Sequence, residues 1–304
     1  MKILLAVDGS RYSEAAVGLV KALKIGRKAE ATVLTVILEH VFLGGHTLAD
    51  LLRRSAALKI QIQKAEEKRA LELLTELSKP LITQGLKVET MLRRGSPADE
   101  IITACRNIQT DLVLVGLKGT SDSPDFLLGS VAHKVIKYAP CSVLVAKKEI
   151  KAVNRILVPL DGSKHSDEIV QFLLRIPLPA HTEIFVMMVV QSFTTAFVKA
   201  YTLDLERDRQ IIDELQKAEE EAAGRLLAET ESQLRNSGYK VSAIVGRGDP
   251  AREILREADQ RNVDLIALGA KGLTGVRSFL LGSVAQRIAR YAKPSVLIVR
   301  LPKR

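Results

Sequence analysis

Residues 112–133 read LVLVGLKGTSDSPDFLLGSVAH, and residues 265–286 read LIALGAKGLTGVRSFLLGSVAQ. Each opens on a short apolar run, passes through Gly-x-x-Gly, nine residues and Gly-Ser, and continues into a helical pattern. A short apolar run ending at glycine predicts a buried strand. The two stretches lie 153 positions apart (265 − 112), and that displacement holds along the chain. ILLAVDGS at 3–10 falls on ILVPLDGS at 156–163. Val36 falls on Val189, Gly85 on Gly238, Gly95 on Gly248, Pro97 on Pro250, Asp111 on Asp264 and Tyr138 on Tyr291. A fixed displacement over so many landmarks means tandem duplication without net insertion. The boundary falls in the charged stretch from Lys147 to Val153, giving expected domains at 1–148 and 153–304.

One copy serves for both. Residues 2–7 read as a strand ending at Asp8-Gly9-Ser10. Ser10 or Ser13 can cap the helix that follows, expected to run to about Ile25. Ala31 to Leu38 is a second strand. Leu48 to Leu77 is a long amphipathic helix whose central charges face solvent. Gly85 breaks it before a third strand from Lys87 to Leu92. Pro97 opens a helix over 98–107. A fourth strand spans Asp111 to Val115, a helix Gly129 to Tyr138, and a fifth strand Ser142 to Ala146. Strands alternating with helices predict two tandem α/β domains, each a doubly wound, five-stranded parallel sheet of Rossmann-like type. Ligands of such sheets sit at the carboxyl ends of the strands, where the strand order switches.

Composition narrows the function. The 304 residues suit about two domains of ordinary size, since domains run about 100–200 residues. The net charge of +10 comes from 45 basic and 35 acidic residues, and aromatics are 4%. A nucleic-acid groove pairs basic charge with stacking aromatics. Aromatics are scarce and the cations spread, so the balance reads as a basic surface without a nucleic-acid partner. Cys105 and Cys141 are the only cysteines, and no metal-binding Cys/His spacing occurs. The first apolar run meets Asp8 too early for a signal peptide or membrane span, which gives a cytoplasmic expectation.

The glycine loops suit a phosphate. Glycine admits positive φ and lets an anion approach backbone N–H groups. Ser130 and Ser283 stand at the helix starts, to cap them or to turn toward an anion. The first-turn amides of Val131 and Ala132, and of Val284 and Ala285, present partial positive charge. Lys118 and Lys271 add mobile cations. Neither a Walker A loop nor the dinucleotide Gly-x-Gly-x-x-Gly is present at these positions.

With Asp8 after strand one, Gly-x-Pro after strand three and Gly-x-x-Gly-(nine)-Gly-Ser-Val after strand four, the sequence resembles the universal stress protein family. The likeness is to its ATP-binding branch in tandem two-domain form, with an adenine-nucleotide-α-hydrolase-like fold. LLGSVAHKVIKYAPCSVLV and LLGSVAQRIARYAKPSVLIV look like the family's C-terminal signature. The resemblance implies that Asp8 and Asp161 lie near the ribose and triphosphate. It implies that Val36 and Val189 meet adenine through their backbone, and that Val115 and Leu268 line the pocket. Gly116, Gly119, Gly129, Ser130 and Val131 would hold phosphates in the first copy; Gly269, Gly272, Gly282, Ser283 and Val284 would do so in the second. It also implies pairing through the last strand, within one chain or with a second chain as a homodimer.

The copies differ. The second carries Gly-Leu-Thr-Gly-Val-Arg-Ser-Phe at 272–279; the first has Thr-Ser-Asp-Ser-Pro-Asp-Phe at 120–126. Asp122 and Asp125 would repel a polyphosphate, hold Mg²⁺ or face solvent. His165 lacks a partner for catalysis and reads as a surface residue; His133 falls on Gln286 in the other copy, which argues against a shared catalytic role. Segments 41–52 and 194–201 read as lid, interface or core. The expected function is a stress-response regulator binding ATP, ADP or AMP, with at most weak ATPase activity. The alternatives are an enzyme splitting ATP between its α and β phosphates, and a structural partner-binding module.

Overall fold

The computed structural model describes residues 1–26, 29–38, 56–120, 127–179, 181–190, 209–271 and 281–300. Two compact units divide between Glu149 and Ile150. The first contains β1 (Lys2–Ala6), α1 (Arg11–Ala22), β2 (Glu30–Leu38), α2 (Ala56–Thr83), β3 (Lys87–Gly95), α3 (Pro97–Asn107), β4 (Leu112–Gly116), α4 (Ser130–Tyr138) and β5 (Ser142–Ala146). The second contains β6 (Arg155–Leu160), α5 (Lys164–Arg175), β7 (Glu183–Val190), α6 (Arg209–Asn236), β8 (Lys240–Arg247), α7 (Pro250–Gln260), β9 (Leu265–Gly269), α8 (Ser283–Tyr291) and β10 (Ser295–Val299).

The first unit's strands lie in the order β3-β2-β1-β4-β5, with every pair parallel. The second repeats it as β8-β7-β6-β9-β10, again parallel throughout. This is the doubly wound α/β fold expected from the alternation of strands and helices. Residues 112–115 are buried, as are all of β5, which is why these strands read as unbroken apolar runs. At β3 the sequence KVETMLRRG is mostly exposed, and its charges suit a strand with one open side. The duplicated Asp111 and Asp264 set register at the amino ends. Lys2 N–H donates to Asp111 Oδ2 at 2.8 Å, and Arg155 N–H donates to Asp264 Oδ2 at 3.1 Å.

Two helix limits differ from expectation. α1 ends at Ala22 rather than near Ile25, because Lys24 adopts a left-handed φ of 49°. α2 runs on past Leu77 to Thr83 and includes Pro80. Ala70, Leu74, Leu77 and Leu81 form one buried stripe that continues beyond the proline. Gly85 N–H then donates to the Ile82 carbonyl and Leu86 N–H to that of Leu81, closing the helix. The expected start of this helix, 48–55, lies outside the described residues, as do segments 41–52 and 194–201.

Candidate functional site

In the first unit the chain leaves β1 for β2 on one side and later returns to β4 on the other. The carboxyl ends of β1 and β4 therefore flank the switch in strand order, where such sheets leave a crevice. Asp8 stands just past β1. Its N–H donates to Ser13 Oγ at 2.9 Å, while the Ser13 hydroxyl donates to Asp8 Oδ1 at 2.7 Å. Ser10 N–H donates to the same oxygen at 3.0 Å. The second unit repeats the arrangement: Asp161 N–H to Ser166 Oγ at 3.1 Å, Ser166 hydroxyl to Asp161 Oδ1 at 3.0 Å, and Ser163 N–H to Oδ1 at 3.0 Å. Each aspartate is thus fixed by the turn and by the first helical turn behind it.

The same carboxylate reaches the glycine loop. Asp8 Oδ2 accepts the Thr120 N–H at 3.0 Å. The Ser10 hydroxyl donates to the Lys118 carbonyl at 3.4 Å. Ser13 does not cap α1. Ser10, the residue before the helix, accepts Ser13 N–H through Oγ at 3.4 Å, while the Ser13 hydroxyl serves Asp8.

The loop ends are pinned to the sheet. Leu117 N–H donates to the Ala146 carbonyl at 2.9 Å, and Gly129 N–H donates to the Leu117 carbonyl at 2.8 Å. In the second unit Ala270 N–H donates to Val299 at 2.9 Å, and Gly282 N–H to Ala270 at 2.8 Å. Residues 121–126 and 272–280 lie outside the described residues, and with them Gly272, Asp122, Asp125 and the basic stretch 272–279.

Gly116 has a packing reason for lacking a side chain. A Cβ there would lie 2.6 Å from Tyr12 Cβ and 3.2 Å from the Tyr12 carbonyl carbon. Gly129 and Gly282 differ from expectation. Their φ values are −67° and −63°, with ψ of 155° and 151°, which any residue adopts. They are themselves the N-cap residues and, as glycines, bring no side-chain cap bond. Ser130 and Ser283 are therefore the first helical residues and not the caps. The first intrahelical bonds are His133 N–H to Gly129 and Gln286 N–H to Gly282, both at 2.9 Å. Above them the amides of Ser130, Val131 and Ala132, and of Ser283, Val284 and Ala285, have no intrahelical acceptor. Ser130 and Ser283 are exposed, Val131 and Val284 half-buried, and Ala132 and Ala285 buried.

Val115 and Leu268, the residues before the first motif glycines, bury their side chains in the sheet core. Val36 and Val189 are half-buried at the carboxyl ends of β2 and β7. Val36 pairs with Arg93, whereas Val189 pairs with Gly246, where a Cβ would meet Met187 Cε at 2.7 Å. Gly119, Lys118 and Lys271 are half-buried, and Gly269 closes β9 as Gly116 closes β4. The His165 side chain lies outside the described residues, and His133 is exposed.

An ion pair at the same edge of the second unit escaped the sequence reading. Asp249 caps α7 by accepting Arg252 N–H at 2.8 Å. Arg287 of α8 donates to its other carboxylate oxygen at 2.8 Å. The Arg287 hydrogen bond, aided by that of the Arg252 amide, holds the Asp249 carboxyl below the usual carboxylate range. The signal lay in the Gly-x-Pro motif, whose middle residue is Asp249 here and Ser96 in the first copy. Cys105 and Cys141 are free and buried; the hydrogen bond from Cys141 and burial push the Cys105 thiol up. Among the described residues, no group of three or more His, Cys, Asp or Glu could hold a metal ion. No described helix is long and apolar enough to cross a membrane.

A model of the universal stress protein family matches residues 1–147 and again 152–300. The chain belongs to the universal stress protein family. A universal stress protein of Mycolicibacterium smegmatis is 28% identical over 308 residues, spanning 98% of this chain and 96% of that one. A universal stress protein of Methanocaldococcus jannaschii is 33% identical over 151 residues, covering 50% of this chain and 84% of its own. The solved universal stress protein from Archaeoglobus fulgidus shares the fold over 98% of both chains, with a TM-score of 0.63 at 21% identity. Family membership thus extends over both copies of the duplication.

Proposed function

We propose that each unit binds one adenine nucleotide, ATP, ADP or AMP, and that the protein is a cytoplasmic stress-response regulator whose output follows nucleotide occupancy. The observation that carries this reading is the duplicated cradle: uncapped first-turn amides of α4 and α8, set across the strand-order switch from Asp8 and Asp161. Uncapped amides with the helix dipole behind them favour an anion. The fixed carboxylates suit hydrogen bonds from ribose hydroxyls, and Val36 and Val189 offer backbone edges to a base. In this reading Gly119 and Gly272 give the phosphates close approach, and the partner of the site is the nucleotide alone. Nucleic acid has no part in it. Binding of this kind needs no chemistry, so turnover is at most a weak ATPase.

The φ and ψ of Gly129 and Gly282 are ones that valine also adopts, so a side chain placed there stands beside the first-turn amides. The double variant Gly129→Val/Gly282→Val is expected to weaken ATP and AMP binding about ten-fold or more in equilibrium titration, with an unchanged circular dichroism spectrum. Unaltered binding by a folded double variant would reject the cradle. Rapid release of AMP and pyrophosphate would favour the enzyme instead.

A further inference from the structure

Arg287 stands four residues after Ser283 in α8. That spacing places both on one helix face, a turn apart, and long helical side chains lean toward the N-terminus. The separation is about 6 Å along the axis, within the reach of an extended arginine. The guanidinium already points to the carboxyl edge of the sheet, since it meets Asp249 at the start of α7 at 2.8 Å. Both partners are half exposed, at 48% and 47%. The first unit keeps a cation, Lys134, at the equivalent helix position but has Ser96 opposite, which makes no side-chain cap. The ion pair is therefore a property of the second unit alone.

We propose that Arg287 counts phosphates in the second unit, exchanging the Asp249 carboxylate for the outer phosphates of a bound nucleoside di- or triphosphate. This rests on the reading that α8 is a nucleotide cradle. A guanidinium fork matches a phosphate as well as a carboxylate, so the exchange replaces one charge-assisted bond by another. Asp249 strands no buried charge when released, because it is half exposed and keeps the Arg252 N–H. A nucleoside monophosphate satisfies the amides and leaves Arg287 on Asp249. Occupancy by a triphosphate is thereby conveyed from α8 to the capped start of α7, a route the first unit lacks.

The test measures dissociation constants for ATP and AMP on the full chain carrying Gly129→Val, so that the second site is read alone. Asp249→Asn keeps a capping oxygen and removes the competing charge. It is expected to tighten ATP about five-fold and leave AMP unchanged, whereas Arg287→Gln weakens ATP about ten-fold and spares AMP. Arg287→Lys, keeping charge without the fork, recovers part of that loss. The double variant Asp249→Asn/Arg287→Gln matches Arg287→Gln alone, since both act through one guanidinium. ATP and AMP shifting together, no shift in either, or additive effects of the two substitutions would overturn the proposal and leave the cradle standing. No binding of either nucleotide to the folded Gly129→Val chain would overturn the second cradle and the proposal with it.

Discussion

Gly116 lacks a side chain because Tyr12 at the start of α1 occupies the space a Cβ would need, at 2.6 Å. Its place in the motif thus reflects helix–strand contact as well as any ligand. Gly116→Ala is expected to destabilise the chain by about 1–3 kcal/mol in urea unfolding, as overpacking does, because Tyr12 Cβ sits on the helix backbone and cannot rotate aside. A loss below about 0.5 kcal/mol would show that α1 shifts freely. Lys147, just past β5, gives a second effect at this scale. Burial lowers its ammonium from an ordinary 10.5 to about 7. Between those values the unfolded chain binds more protons than the folded one, so stability rises with pH across that window. The slope is up to about 1.4 kcal/mol per pH unit. Below about pH 7 both states are protonated and the burial penalty is complete. Lys147→Met is expected to flatten this slope in thermal melts from pH 7 to 10. Parallel melting curves for the two proteins would contradict it. The second copy has Arg300 at this position.

At the scale of elements, α2 shows a hydrophobic stripe outlasting a local breaker. Pro80 removes one backbone donor near the helix end, yet Leu77 and Leu81 continue the buried face on either side of it. Leu81 is fully buried whereas Leu71 of the same helix is 50% exposed. Leu81→Ala is expected to cost about 2–5 kcal/mol, and Leu71→Ala under about 0.5 kcal/mol. Equal losses in chemical denaturation would mean that the stripe does not hold α2. The charged middle of α2 faces outward as its composition implies, with Arg94 of β3 near Glu66 and Glu67 at 3.9 and 3.6 Å. The repeat keeps this link as Arg247 with Glu220. Such exposed pairs contribute little stability, and their recurrence marks shared ancestry more than strength.

At the scale of the whole molecule, duplication gives two cradles of unequal surroundings. The first has Asp122 and Asp125 in its loop and a Lys134 with no acidic partner in the Gly-x-Pro motif; the second has a basic loop and the Arg287–Asp249 pair. On the proposed reading, ATP binding resolves into two classes of site with the tighter in the second unit. Gly282→Val is expected to remove the tighter class in titration calorimetry, and Gly129→Val the weaker. Ligand at about 100 times Kd should add about 2.7 kcal/mol of stability to the unit that binds it. A single class of identical sites, insensitive to which glycine is replaced, would contradict the asymmetry.

The duplication, strand and helix alternation, doubly wound class and glycine-loop spacing were all legible in the sequence. They depend on local periodicity and on a constant displacement that needs no coordinates. Ser142 to Ala146 was found to the residue because an all-buried strand is an unbroken apolar run between turn signals. The end of α2 was not, because Pro80 is a local signal and the burial of Leu81 is a long-range one. Tertiary structure alone decided that Gly129 and Gly282 are caps of ordinary φ, that Gly116 yields to Tyr12, and that Arg287 meets Asp249. Each depends on residues brought together from distant parts of the chain or on the angle at which a helix begins. Spacing records which residues recur, but only the packed backbone fixes which atoms meet.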